Sequence, residues 1–315
     1  MNEYPPERED QQPQISEHQP SQPRPRRQPP PRRSWTDRLP LIFSAAAMVL
    51  AGAALFFVLR GDKPPEEPPP PEEPVTFQYR DQTMTPLEGM PTNSYDRSAF
   101  VKDEKGRLVY EKDGKRAKTG IDVSVYQGEI DWPAVAADGI EFAILRLGYR
   151  GYTEGGLFLD QTFEQNIRGA LDAGLEVGVY FFSQAITPTE AEAEAAYVLN
   201  ALEGYNVTYP VTFDWEPIAS GNGARTDNLD GSTLTQCAAA FCRKISAAGY
   251  QAAVYFNQDS GYLRYDLREF SEHVLWLAEY DIKPDFYYHF DLWQYSHTGT
   301  VAGIEGSVDL DLDLR

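Results

Sequence analysis

The chain has 315 residues, with 28 Lys+Arg against 48 Asp+Glu and a net charge of −20 at neutral pH. A surface this acidic excludes nucleic acid as a partner, because phosphate binding needs a basic face. The four histidines, His18, His273, His289 and His297, contain no H-x3-H pair, so metal-dependent hydrolysis loses its ligand set and neither metal nor cofactor is expected.

Residues 1–38 mix seven Lys+Arg and six Asp+Glu with Pro and Gln and hold almost no aliphatic side chains. Such a stretch cannot bury enough apolar surface to offset its ordering entropy, so a disordered tail is expected. Leu39–Leu59 is an uncharged run with a single proline, long enough as a helix to cross roughly 30 Å of hydrocarbon. A cleaved signal peptide is the competing reading, with Ala51-Gly52-Ala53 as its cleavage site. Against it, the apolar run continues through Phe56-Phe57-Val58-Leu59 behind a long N-terminal tail. Arg24, Arg26, Arg27, Arg32, Arg33 and Arg38 precede the span and acids follow it. The positive-inside rule then predicts a single-pass cytoplasmic-membrane anchor, with the N-terminus inside, the C-terminal part outside and the lipid bilayer as a partner through residues 39–59.

Residues 60–75 are a Pro/Glu spacer, with Pro64-Pro65-Glu66-Glu67-Pro68-Pro69-Pro70-Pro71 at its centre. Polyproline II geometry makes it a semi-rigid stalk of roughly 40 Å. Within residues 76–117, Phe100–Tyr110 reads as a hairpin turning near Gly106. The sequence leaves open whether this extension packs on the main domain or is a further spacer.

Residues 118–315 alternate between strand-like runs and amphipathic helices. The expected strands are Gly120–Val125, Phe142–Leu147, Val177–Phe182, Val211–Asp214, Ala252–Phe256, Val274–Ala278, Leu292–Tyr295 and Ser307–Leu310. Helices fall between the first five. One spans Asp160–Ala173 and stops at Gly174, another opens on the capping box Thr187-Pro188-Thr189-Glu190, and a third opens on Thr233-Leu234-Thr235-Gln236 and stops at Gly249. Short connections between the last three strands leave no room for full helices. Cys237 and Cys242, five residues apart on the third helix, point about 140° away from each other and read as small buried hydrophobes. The pattern predicts an α/β fold, a TIM-like (β/α)5(β)3 barrel, with chemistry at the C-terminal strand ends.

The fourth strand ends in Asp214-Trp215-Glu216. Strand side chains alternate, so Asp214 and Glu216 share a face while Trp215 takes the other. Their mutual repulsion should raise one pKa, and a protonated carboxyl beside an ionised one is equipment for protonating a leaving group. Asp122 on strand one and Asp309 on strand eight would reach the same rim if the barrel closes. Tyr180, Phe182, Tyr149, Tyr255, Trp293, Gln294 and Tyr295, at strand ends or in the loops after them, are the candidates for binding a substrate ring.

Several motifs match a known family: Gly120-Ile121-Asp122-Val123-Ser124 with Tyr126-Gln127-Gly128, Ile130-Asp131-Trp132, Phe142-Ala143-Ile144-Leu145-Arg146, Gly178-Val179-Tyr180-Phe181-Phe182-Ser183, Asp214-Trp215-Glu216, and Trp293-Gln294-Tyr295-Ser296 followed by Gly306 and Val308-Asp309. Over residues 118–315 the chain resembles the glycoside hydrolase family 25 lysozymes. The resemblance implies the (β/α)5(β)3 barrel and hydrolysis of the β-1,4 bond between N-acetylmuramic acid and N-acetylglucosamine in peptidoglycan glycan strands. It also implies Glu216 as general acid, Asp214 as its partner, and Asp122 and Asp309 as flanking acids. Two departures stand out: Phe181 where many members have histidine, and Asp311 where many have asparagine. Acids two apart on one strand are about 7 Å apart at the backbone, an awkward fit to ordinary retaining catalysis. Inversion and assistance by the substrate's 2-acetamido group both stay open. The alternative function is a catalytically inactive, membrane-tethered module that only binds peptidoglycan.

Overall fold

Eight strands close into a barrel in the computed structural model, which describes residues 75–218, 223–280 and 283–315. The expected tail, the Leu39–Leu59 span and the spacer, apart from Val75, lie outside the described residues. Among the described residues no helix is long and apolar enough to cross a membrane.

Before the barrel come five short strands: β1 (Phe77–Tyr79), β2 (Gln82–Met84), β3 (Phe100–Lys102), β4 (Leu108–Lys112) and β5 (Lys115–Arg116). The chain then runs β6 (Lys118–Val123), α1 (Trp132–Ala137), β7 (Phe142–Arg150), β8 (Leu157–Leu159), α2 (Phe163–Asp172), β9 (Glu176–Phe182), α3 (Pro188–Ala201) and β10 (Val211–Asp214). It continues through α4 (Gly231–Ala247), β11 (Ala252–Asn257), α5 (Gln258–Leu263), β12 (Val274–Ala278), β13 (Leu292–Gly299) and β14 (Val308–Asp313). Around the barrel the order is β6, β7, β9, β10, β11, β12, β13, β14 and back to β6. The barrel strands β6, β7, β9, β10, β11, β12 and β13 are parallel, and β14 runs antiparallel to both of its neighbours. β8 adds an antiparallel ninth strand on the end of β7. No sequence signal had marked it.

Period-two alternation builds two cores from one sheet. Phe142, Ile144, Ala253, Trp276 and Leu292 fill the barrel interior. Ile121, Val179, Phe213, Val254 and Leu277 face outward into the layer shared with the helices. Those helices begin where side chains satisfy their first N–H groups. Asp131 caps α1 by accepting from the Ala134 N–H, and Thr187 caps α3, with Pro188 pre-set at its first position. The Thr233 capping box expected for α4 is displaced. Asp230 is the cap and accepts from both the N–H and the hydroxyl of Thr233, so the helix starts at Gly231. α2 is the exception: it starts at Phe163 without a side-chain cap, while the Asp160 carboxylate accepts from the Thr162 N–H and hydroxyl and from Arg146. Gly174 and Gly249 take φ of +82° and +90° just past their helices, a conformation that a Cβ would oppose.

Strands β12, β13 and β14 bring little helix of their own, so their outward residues need another cover. The extension supplies it. Phe100 packs edge-on against Trp293 at 5.1 Å, and the Tyr95 hydroxyl donates to the Phe290 carbonyl at 2.5 Å. Phe77 stacks on Tyr287 at 4.2 Å, and Arg107 donates to the carbonyls of Asp138 and Thr300. The hairpin read in the sequence is present as β3 and β4, and β5 extends it to three strands. Residues 77–117 are thus a packed wall of the barrel. Removing the fully buried Phe100 ring opens a cavity against Trp293, so Phe100→Ala is expected to lower unfolding stability by about 3–5 kcal/mol in urea titrations. A change under 1 kcal/mol would make the extension an ornament.

Candidate active site

Four acids reach the C-terminal mouth of the barrel because each strand's parity aims them inward. Phe213 on β10 and Trp215 just past its end anchor in the outer layer, the latter under the Arg264 guanidinium at 4.9 Å. Asp214 is therefore turned into the barrel, 4% exposed, and Glu216, two residues on, opens to solvent at the mouth. On the opposite wall the antiparallel β14–β6 ladder sets Asp309 directly across from Asp122. Facing pairs of this kind bring Cβ atoms to roughly 5 Å, close enough for strong like-charge repulsion.

Electrostatics follow from that crowding. Burial, and then the charge of Glu216, push the Asp214 carboxyl well above its ordinary range, against the pull of Arg146. Glu216 is raised by the walls around it and by Asp309 across the pit. Its solvent contact moderates the shift relative to Asp214. Asp309, half-buried, is pushed up to about 6 by burial, with His297 pulling the other way. Asp122 is raised by burial and then by Asp309 and Asp311, while the amide of Gln294 works to lower it. Gln294 is the hub of this wall. Its Nε2 donates to Asp122 Oδ2 at 2.6 Å, while its Oε1 accepts from the Tyr280 hydroxyl at 2.6 Å and the Tyr255 hydroxyl at 2.9 Å. Two tyrosines thus fix the amide so that only its N–H side faces the acid.

The structure brings Asp122, Asp214, Asp309, Tyr180, Phe182, Tyr255 and Gln294 to the inward register, with Glu216 and Tyr149 beside them at the mouth. Trp293 and Tyr295 need correcting as substrate-binding candidates. They flank the inward Gln294 and so point outward, both buried in the outer layer, with Trp293 Nε1 donating to the Glu279 carbonyl at 2.9 Å. A one-residue step changes the face. Phe181 is on that outer side as well, edge-on to Tyr197. Asp311 is inward and wholly buried, one pleat below Asp309.

Sequence reasoning missed Arg146, Tyr280 and Trp276. Arg146 donates to the buried Asp160 at 2.7 Å and lies over the rings of Tyr126 and Tyr149, at 5.0 and 5.7 Å. It sits three residues beyond Ala143 in a strand read as apolar, and an inward arginine has no sequence signature of its own. Tyr280 follows its strand by two residues, at a parity that could have found it. Among the described residues no cluster of His, Cys, Asp and Glu could hold a metal ion.

Comparison with known proteins gives a consistent result. The model of the family described as glycosyl hydrolases family 25 matches residues 121–304. The chain is 28% identical to the autolytic lysozyme of Clostridium acetobutylicum, over 61% of this chain and 54% of that protein. It is 29% identical to lysozyme M1 of Streptomyces globisporus, over 60% of this chain and 65% of that protein. It therefore spans about half to two thirds of the length of these relatives. Among solved structures, the modular autolysin LytC of Streptococcus pneumoniae superposes with a TM-score of 0.54 at 26% identity, covering 70% of this chain and 57% of that one. A family 25 glycosyl hydrolase from Bacillus anthracis, at 21% identity, shares the fold with the same TM-score, over 68% of this chain and 95% of that one.

The acid-lined interior makes a signed prediction about stability. A carboxyl raised in the native state binds its proton more tightly there than in the unfolded chain, so lowering the pH through the raised value stabilises the fold. Asp309 at about 6, Glu194 and Glu279 at about 7, and the raised Asp122, Asp214, Asp311 and Glu216 all act in this direction. Glu141, Glu190, Asp266 and Asp313 are lowered and act oppositely below about pH 4, and His273, lowered by burial, is one group set against the several raised carboxyls within the window. The melting temperature should rise from pH 8 to about pH 5 and fall at stronger acidity, and Asp309→Asn should flatten the rise. Calorimetry showing a level or declining melting temperature from pH 8 to 5 would contradict the charge assignment.

Proposed function

The chain belongs to glycosyl hydrolase family 25, and from that premise we propose that it is a muramidase that cleaves the β-1,4 bond between N-acetylmuramic acid and N-acetylglucosamine in peptidoglycan. The observation that carries this is the pairing of Asp214 and Glu216 on one inward face, opposite Asp122 and Asp309. Glu216 is the general acid. It stands where a glycosidic oxygen can enter from solvent, and its raised pKa holds a proton for the leaving group.

Asp214 is the partner. Burial alone would leave the shared proton on Asp214, while the Arg146 charge favours its carboxylate. Its Oδ1 is buried without a hydrogen-bond partner. A 2-acetamido N–H is the donor this oxygen lacks. A bound sugar would therefore draw the carboxylate to Asp214 and leave the proton with Glu216. The acetamido oxygen, oriented by Asp214, attacks the anomeric carbon as the Glu216 proton passes to the leaving oxygen, and water then opens the cyclic intermediate with retention. Tyr180 and Phe182 inside and Tyr149 at the mouth offer ring faces to the sugar. Asp309 and Asp122 stabilise positive charge developing on the ring.

We further propose that Leu39–Leu59 anchors the chain in the cytoplasmic membrane, with the barrel outside on its spacer and facing the wall during local remodelling. Glu216→Gln should reduce release of muropeptides from purified peptidoglycan by at least about 10²-fold while moving the melting temperature little. The first-formed reducing end, read by NMR, should keep the β configuration. Wild-type protein that binds the glycan but releases no muropeptides would leave a tethered binding module in place of an enzyme.

A further inference from the structure

We propose that Asp122 and Asp311 share one proton across the floor of the pit, and that Asp311 is the positioning residue that holds the Asp122 carboxyl beneath the substrate. The effect on turnover rests on the muramidase reading; the shared proton does not.

Asp311 is 0% exposed and lies two residues below Asp309 on the inward face of β14. Its cross-strand neighbour on β6 is Gly120, which has no side chain to intervene. A Cβ at Gly120 would stand 2.2 Å from the Phe142 ring, so that gap is enforced by packing. Trp276 Nε1 donates to Asp311 Oδ1 at 2.9 Å, and Oδ2 has no donor. Asp122 is the diagonal neighbour of Asp311 across the ladder, and its carboxyl, whose Oδ2 already accepts from Gln294, lies within hydrogen-bonding reach of Asp311. Two buried carboxyls in contact are two acceptors with nothing between them unless one keeps a proton.

The surrounding groups offer no other neutralisation. From β7, Arg146 is engaged by Asp160, and from β9 and β12, Tyr180 and Tyr280 are neutral phenols raised by burial. From β13, Gln294 contributes one amide, while His297 acts on Asp309. On β14 itself, Asp309 adds negative charge above, and Asp313 below is taken up by Arg315 and the Tyr209 hydroxyl. Both carboxyls are accordingly raised well above their ordinary range. The proton belongs to the pair, and its loss in alkali puts two adjacent charges in the floor and drives Asp122 off its position.

The test uses the full chain in detergent, with aspartate carboxyl carbons labelled and followed by NMR. At neutral pH the wild type should show, apart from the Asp214 signal, one protonated aspartate carboxyl that is absent from both Asp311→Asn and Asp122→Asn. Asp311→Asn replaces the shared proton with an amide N–H that does not titrate. On purified peptidoglycan, Asp311→Asn should therefore keep kcat within about threefold of the wild type, because it still offers Asp122 a donor. Asp311→Leu, which offers no donor, should lower kcat by about 10²-fold with KM nearly constant, and a cooperative melt would confirm that it folds. Asp122 and Asp311 both ionised in the wild type at neutral pH, or an Asp311→Asn variant whose kcat falls as far as that of Asp311→Leu, would overturn the proposal. A wild type without turnover would remove the muramidase reading, and the carboxyl spectrum would still decide the pair.

Discussion

Closure of the barrel through β14 is the pairing on which the rest depends. β14 is antiparallel to both β13 and β6, and its register fixes which of its residues face in. Val308, Leu310 and Leu312 face the outer layer and are buried there. A slip of one position would drive these three into the polar interior and push Asp309, Asp311 and Asp313 against the apolar cover. The apolar side chains that hold the strand therefore also position its acids. Asp309 meets Asp122 because Leu310 and Leu312 have nowhere else to go.

Along this single face, three aspartates one pleat apart meet three environments. Asp313, at the base, is salt-bridged to Arg315 and bonded by the Tyr209 hydroxyl at 2.7 Å, and it is held below the ordinary carboxylate range. Asp311, in the middle, has one indole donor and no cation, and burial drives it far up. Asp309, at the mouth, reaches solvent and settles at about 6. Ion pairing, desolvation and partial hydration set these differences on one backbone. The base of the barrel spends its charges on stability. Among the described residues Asp309 and Asp311, in the upper two layers, have no salt bridge, and those layers face the place where we propose that the sugar lies.

The strands were legible because alternation over four to six residues is a strong signal: Val211–Asp214 and Val274–Ala278 recur unchanged, and the other six expected runs recur with ends shifted by a few residues. The acid set was legible for the same reason, since parity needs only a correct strand. Trp293 and Tyr295 show the limit. Both lie near a strand end rich in aromatics, yet parity counted from Gln294 puts them on the outer face, where Phe100 from a distant segment was waiting. The start of α4 failed differently: Asp230 and Thr233 both suit an N-cap, and the tertiary position of the loop chose between them. Arg146 stands in one of the family motifs, but its role could not be read. Its place depends on Asp160, fourteen residues away in sequence, and an isolated arginine in an apolar run gives no warning of a buried partner.

The family match over residues 121–304 stops short of Asp309 and Asp311 and begins after the extension, so two parts that matter to the site lie outside the matched segment. They are physically linked. β14 carries the acids, and its outer face shares one cluster with Phe100, Tyr110, Trp293 and Tyr295. On the other side of the barrel, helices α1 to α4 press β6 to β11 into place from outside. On this side that task falls to residues 77–117, through aromatic rings and through Arg107, which reaches both Asp138 after α1 and Thr300 after β13. A looser cover would let β14 breathe against β6. Since Asp309 and Asp122 repel each other across that ladder, breathing would relieve their strain and empty the pit of half its charge. The extension thus opposes a repulsion that the site itself creates.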